Sequence, residues 1–463
     1  MAVYSIIKLS KLEGAKRIDA EYYKPEYLEV KEKITKFRKW YFFRDLIEVF
    51  NSGKNWPQAE NGNIKFLRTQ HIRGILIQDE EDLTFCSELP PDKFLLKEGD
   101  LLFTRVGGVG DNAIASKEYE GHFYSDNVLR IRIKKLNPFF VSVFLNSYYG
   151  KGQLEQVTKG IAQPLISREN FENLIIPDFS QDFQEKIKRL VLVSYNLRHQ
   201  SIIIYSQAES LFLEELGLKD FKSKYEKTYT ANLSDVFSAH RIDAEYFQPA
   251  YEEVIKKLRE RNIELKTLKE FILSIQKGIE PGSENYRDDG KPFIRVSNLS
   301  IHGFIDRDQK YLSEELYQQL RETYEPKQGD LLLTKDATPG IAYVVKEPIE
   351  GIIASGILKL QINESKINKE YLALCINSLI GKMQIERDGG GSVILHWKPE
   401  QVKKLKIPLL PLETQQKIAE LVQKSHEARK KAKELLEVAK KTVEIAIEKD
   451  EKEALEFLSQ YSI

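Results

Sequence analysis

RIDAEYYKPEY at residues 17–27 returns as RIDAEYFQPAY at 241–251, identical at eight of eleven places and 224 positions later. Further matches keep the same order. KEGDLLFTR (97–105) recurs as KQGDLLLTK (327–335), 230 positions on. FLNSYYGKGQLE (144–155) recurs as CINSLIGKMQIE (375–386), NLIIP (173–177) as KLKIP (404–408), and QEKI (184–187) as QQKI (415–418), each 231 positions on. An offset that drifts by only seven residues along the chain means two copies of one domain with small loop insertions.

Each copy has two textures. Short apolar runs such as Asp100–Thr104 and Asn127–Ile133 read as strands between turns, giving a mixed α/β globule. After Pro177 and Pro408 come stretches free of Gly and Pro, from Gln181 to Leu216 and from Leu412 to about Ala454, which read as long helices. Alternating steps of three and four from Ile187 give Leu190, Ser194, Leu197, Ser201, Ile204, Ala208 and Leu211. The same steps from Ile418 give Leu421, Ser425, Ala428, Ala432, Leu435, Ala439 and Thr442. This seam, with small residues at several a and d places, fits two helices packed along their length as a coiled coil. The alternative is an amphipathic helix lying on its own globule. A helix over 181–215 would be about 52 Å long, more than such a globule offers as a flat bed, and favours helix on helix.

Composition bounds the partners. At 463 residues, 41% hydrophobic and 30% charged, the chain is a packed multidomain protein. Apolar runs such as Leu190–Val193 and Gly351–Ile357 fall far short of the ~20 residues of a membrane span, and Met1–Ser10 lacks the core of a signal peptide, so a cytosolic protein is expected. Cys86 and Cys375 cannot make a disulfide framework or a four-ligand zinc site. Lys plus Arg and Asp plus Glu both number 70, so nucleic-acid binding would require positive charge gathered on particular faces.

Enzymatic motifs are absent: no GxxxxGK(S/T), no GxGxxG after a strand, no HExxH and no paired CxxC. The glycine-rich Val106-Gly107-Gly108-Val109-Gly110 lacks the Lys and Ser/Thr of a phosphate loop; its counterpart Ala337-Thr338-Pro339-Gly340 keeps only the last glycine, which fits a tight hairpin. Asn137-Pro138 reads as a loop-to-helix start. What remains is recognition. Lys54, Asn55, Trp56, Arg68, Gln70, His71 and Arg73 in copy one, and Lys277, Arg295, Ser297, Asn298 and His302 in copy two, are side chains of the base-reading kind in loops at matching places. Thr104 and Arg105, with Thr334 and Lys335, are candidate phosphate holders, and Gln163, Thr338, His396 and Lys398 complete the DNA-binding set. Framework stretches agree between copies while these loops differ, TQHIRG against SNLSIHG and RVGGVG against KDATPG. Like scaffolds with unlike loops would bind two unlike sequences.

The chain thus resembles the DNA specificity subunits of type I restriction-modification systems over nearly its whole length. The resemblance rests on the doubled layout of globule then long helix, the RIDAEYY and RIDAEYF openings, the GDLLFTR and GDLLLTK strands, and Gly391-Ser392-Val393-Ile394 running to Ile407-Pro408-Leu409-Leu410-Pro411-Leu412-Glu413-Thr414-Gln415-Gln416-Lys417-Ile418. Copy one departs at Asp178-Phe179-Ser180-Gln181-Asp182-Phe183-Gln184.

The resemblance implies an α+β chain with target recognition domains at 1–180 and 219–411, a spacer helix at 181–218, and a second helix with a C-terminal tail at 412–463. The helices would pair as an antiparallel coiled coil, with Ile187, Leu190, Leu197, Ile204, Leu211, Ile418, Leu421, Ala428, Leu435 and Ala439 as seam. The resemblance further implies a non-catalytic subunit without cofactor or metal, reading a split, asymmetric site in double-stranded DNA. It would dock two methylation subunits that use S-adenosylmethionine and two ATP-driven restriction/translocase subunits. Acidic residues near the first helix's end, Glu209, Glu214, Glu215 and Asp220, could face such partners or be ordinary solvated charge. A coiled-coil scaffold with duplicated protein-binding heads and the recognition subunit of a type II-like system are the alternatives.

Overall fold

A computed structural model of the chain describes residues 6–8, 18–37, 39–78, 83–106, 108, 110–158, 168–222, 224–306, 308–389 and 396–461. Gly107, Val109, Gln163 and the Gly391–Ile394 stretch lie outside them. There are two compact units, residues 1–199 with 429–463 and residues 200–428.

In the first unit, β1 (Ile47–Ser52), β2 (Leu101–Thr104), β3 (Asn112–Ile114) and β4 (Val128–Ile133) form an antiparallel sheet in the order β1-β4-β2-β3. In the second, β5 (Ile272–Lys277), β6 (Leu331–Thr334), β7 (Ala342–Val344) and β8 (Ile357–Ile362) repeat it as β5-β8-β6-β7. The runs LLFT and LLLT are continuous because both faces of these strands are covered. Leu101 and Phe103 join the large core with Phe140 and Phe144, while Leu102 joins Leu67, Ile72 and Tyr124 on the other face. Leu331 and Leu333 against Leu332 divide in the same way.

Two short helices cover each sheet: α1 (Pro138–Asn146) and α2 (Tyr148–Thr158), then α4 (Lys369–Asn377) and α5 (Leu379–Gly389), with α3 (Gln181–Glu215) between the pairs in sequence. Asn137 starts α1, its side chain accepting from Phe139 N at 3.0 Å, and Asn368 starts α4 by accepting from Glu370 N at 2.9 Å. The entry into the long helices is also held alike. Asn137 N donates to Gln184 Oε1 and Gln184 Nε2 to Phe179 O, both at 2.8 Å. Asn368 N donates to Gln415 Oε1 at 3.1 Å and Gln415 Nε2 to Leu410 O at 2.8 Å. The divergent sequence at 178–184 therefore keeps the glutamine on which the junction hangs.

The second long helix, α6 (Leu412–Glu448), is shorter than its sequence suggests. The carboxylate of Asp450 accepts from Glu453 N at 2.8 Å and starts a separate helix, α7 (Glu451–Ser459). N-capping competes with continuation here, and Asp is a strong capping residue. Each long helix gives one half to each unit. Within the first unit, Ser194 Oγ donates to Ala432 O at 2.6 Å and Ser180 N to Glu451 Oε1 at 2.8 Å, so the two halves run antiparallel. Within the second, Ser425 Oγ donates to Ser201 O at 2.7 Å.

Of the seam residues, Ile187, Leu190, Ile418, Leu435 and Ala439 are buried, whereas Leu197, Ile204, Leu211, Leu421 and Ala428 are half-buried. The buried line on α3 runs one residue further on, through Arg198, Tyr205 and Phe212. These longer side chains reach the globule of their own unit: Arg198 Nη1 donates to Ile77 O at 2.6 Å, and Tyr205 and Phe212 join the core of the second unit. The helix halves lie on globule and on helix at once, which a two-position seam does not capture. Among the described residues no helix is long and apolar enough to cross a membrane.

Candidate nucleic-acid interface

In the first unit the turn at 124–128 ties several strand ends together. Lys54 N donates to Tyr124 O at 3.4 Å, Ser125 N to Leu67 O at 2.9 Å, and Arg105 N to Asn127 O at 2.9 Å. The residues just past those ends, Lys54, Arg68 and Arg105, form one rim. In the second unit the turn at 353–357 does the same: Gly278 N donates to Ile357 O at 3.0 Å, Ala354 N to Ile294 O at 2.8 Å, and Lys335 N to Gly356 O at 2.8 Å. This gathers Lys277, Arg295 and Lys335.

Several candidates serve the rim instead of facing outward. Thr104 and Thr334 are buried, and their hydroxyls close the hairpin turns, Thr104 Oγ1 on Gly108 O and Thr334 Oγ1 on Thr338 O. Both hydroxyls are spent inside the fold. The last glycine of each hairpin, Gly110 and Gly340, has φ of +95° and +96°, which explains why it alone is kept between copies. His71 and Asn298 are buried too, accepting from Arg68 N at 3.0 Å and from Arg295 N at 3.1 Å. Trp56 is an anchor: its Nε1 donates to Glu88 O at 3.1 Å and its ring lies 5.8 Å from that of Phe123. His302 stands off the row, its ring 5.1 Å from Tyr205 and 6.5 Å from His426 on the helix halves of its unit.

The outward groups are fewer. Lys54, Asn55, Lys277, Ser297, Thr338, His396 and Lys398 are exposed; Arg68, Gln70, Arg73, Arg105 and Arg295 are half-buried. Lys54 lies over the Phe94 ring, 5.1 Å from its centroid. Arg68 is steadied by neutral groups, Gln58 Oε1 and Thr84 Oγ1, and Arg105 by Asp126 O at 3.3 Å. Two of the second unit's cations carry carboxylates instead. Arg295 pairs with Asp308 at 3.2 Å, holding that carboxyl below its ordinary value. Lys335, nearly buried, pairs with Asp336 at 2.5 Å, and His396 Nδ1 meets the other oxygen of Asp336 at 2.9 Å. Burial alone would raise the Asp336 carboxyl, but hydrogen bonds from Lys335 and His396 outweigh it and leave it lowered. Asp308 and Asp336 were not among the sequence candidates; their signal was the copy-to-copy difference beside a basic residue. The arginines of the first rim are thus held by neutral groups, whereas Arg295 and Lys335 of the second are neutralised by carboxylates. Among the described residues no three His, Cys, Asp or Glu side chains are placed to hold a metal ion.

Residues 260–440 match the family described as type I restriction modification DNA specificity domain. A protein named as the MjaX specificity subunit of a type I restriction enzyme, from Methanocaldococcus jannaschii, is 23% identical over 409 residues, 85% of this chain and 86% of that protein. The type I restriction enzyme EcoKI specificity subunit of Escherichia coli is 27% identical over 149 residues, 30% of this chain and 32% of its own. The crystal structure of a type I restriction-modification system S subunit from M. genitalium aligns over 87% of this chain and 94% of that one, at 14% identity and a TM-score of 0.39.

Proposed function

We propose that this chain, whose residues 260–440 match the type I restriction modification DNA specificity family, is the non-catalytic DNA-reading subunit of a modification and restriction complex. Each unit reads one half of an asymmetric, two-part site in duplex DNA. The long helices pair as an antiparallel coiled coil that spaces the halves and docks two methylation subunits, which bring S-adenosylmethionine, and two ATP-driven restriction subunits.

One observation carries this reading: the framework hydrogen bonds recur between copies, Thr104 with Thr334, His71 with Asn298 and Gln184 with Gln415, while the groups set against the rim cations differ, Gln58 and Thr84 at Arg68 but Asp308 at Arg295, and the Asp126 carbonyl at Arg105 but Asp336 at Lys335. A repeated protein-binding head would need like surfaces; a reader of two unlike base sequences needs unlike ones. Exposed Lys54, Lys277 and Lys398 are free to track phosphates without sequence preference. The chain co-expressed with its methylation subunit in a host lacking other adenine methylation is expected to direct N6-methyladenine to two short defined sequences with a fixed undefined spacer. A single uninterrupted site, or no defined site, in methylome sequencing would sink the reading.

A further inference from the structure

The row Lys335, Asp336, His396 differs in construction from the rest of its rim. The backbone beneath it is fixed on both sides: Trp397 N donates to Lys335 O at 2.7 Å, and Asp336 and His396 face each other in an antiparallel bridge. Trp397 is buried and its Nε1 donates to Asp388 Oδ2 at 3.2 Å, which pins the segment in place. His396 itself remains 67% exposed at its side chain, although its Nδ1 is engaged.

The chemistry of that contact fixes the imidazole. An ionised carboxylate only accepts hydrogen bonds, and Asp336 already accepts the Lys335 ammonium. Nδ1 of His396 must therefore donate, and in the neutral ring the other nitrogen, Nε2, carries a lone pair. Lys335 is paired within the row. The positions corresponding to Asp336 and His396 in the first copy are Val106 and Leu165, so the carboxylate and the imidazole are replaced together by two apolar residues. A pair that is exchanged as a unit, at the point where two equal scaffolds differ, belongs to what distinguishes them.

Resting on the DNA-reading function proposed above, we infer that Asp336 is a positioning residue for His396, whose Nε2 accepts a hydrogen bond from a base with an exocyclic amino group at one position of the second unit's half-site. In the major groove adenine N6 and cytosine N4 offer such donors, while guanine O6 and N7 and thymine O4 oppose a lone pair.

The full chain with its methylation subunit tests this, with the modified sites of the wild type and four variants mapped by methylome sequencing. His396→Ala is expected to lose about tenfold discrimination at one adenine or cytosine position in one half-site, leaving the other half-site intact. Asp336→Asn can donate to Nδ1 and so releases the tautomer; it should relax that same position, and the double variant should go no further than His396→Ala. His396→Gln keeps an acceptor and should retain the preference. Unchanged selectivity in His396→Ala, or relaxation spread over both half-sites as general destabilisation would give, overturns the inference while the two-part site stands. A wild type that directs no two-part site defeats the parent reading, and this inference with it.

Discussion

Asp100 and Asp330 hold the same place in the two copies and carry different loads. Each accepts a backbone N–H, Lys97 N at 2.9 Å and Lys327 N at 2.8 Å, which closes the turn before the central strand. Asp100, with no exposed surface, also receives Arg132 through two hydrogen bonds of 2.7 and 2.8 Å. Among the described residues no arginine meets Asp330 in this way: the strand register puts Gln361 where Arg132 stands, and Gln361 Oε1 accepts from Ser274 Oγ at 2.9 Å. Asp100→Ala should therefore cost about 3–5 kcal/mol, since it strands buried Arg130, 3.9 Å from the carboxylate, together with half-buried Arg132. Asp330→Ala should cost about 1–2 kcal/mol, that of a lost amide acceptor. Hydrogen exchange of the amides in 101–133 and 331–362 measures the two separately; equal losses would refute the assignment. This is also the scale at which sequence was least legible. His71, Asn298, Thr104 and Thr334 carry the donors and acceptors that read bases, and the same groups close turns, so only burial tells which task they perform.

At the scale of elements, the repeated NSxxGK stretch records a close approach. A Cβ on Gly150 would lie 2.1 Å from Phe144 O, and one on Gly381 would lie 2.0 Å from Ile376 O, both backbone atoms that cannot step aside. The serine of the motif caps the same corner, Ser147 Oγ donating to Phe144 O at 2.6 Å and Ser378 Oγ to Cys375 O at 2.7 Å. Gly150→Ala and Gly381→Ala are each expected to destabilise their own unit by at least about 1–3 kcal/mol, as overpacking does, seen as a lower thermal midpoint. A neutral result in either would mean that the corner can open. Elements of this sort were legible: strands at 101–104 and 128–133, the helix start at Asn137 and the long helix over 181–215 follow from pattern alone. The seam was legible only in part, because heptad counting assumes one neighbour, and α3 has two. Arg198 and Tyr205 are buried by the globule, a partner that local periodicity does not record.

For the whole molecule, zero net charge is compatible with a polyanionic ligand because much of the charge is spent internally. Pairs such as Lys186 with Asp182, Lys417 with Glu413 and Lys430 with Glu434 line the helices at i,i+4 spacing. Such exposed pairs contribute little stability, and they leave the rims to set the local potential. The length of the helices is the other molecular-scale quantity. At 1.5 Å per residue the 35 residues of α3 extend about 52 Å, near one and a half turns of B-DNA at ~34 Å per turn. If the helix pair spaces the half-sites, deleting seven residues from each long helix removes about 10 Å of rise while preserving the face that each presents. The preferred spacer should then shorten by about three base pairs, with both half-site sequences retained, since no rim residue is touched. Methylome sequencing reads spacer and half-sites in one experiment. An unchanged spacer would show that something other than helix length sets the distance, and altered half-sites would show that the rims depend on the helices for more than position.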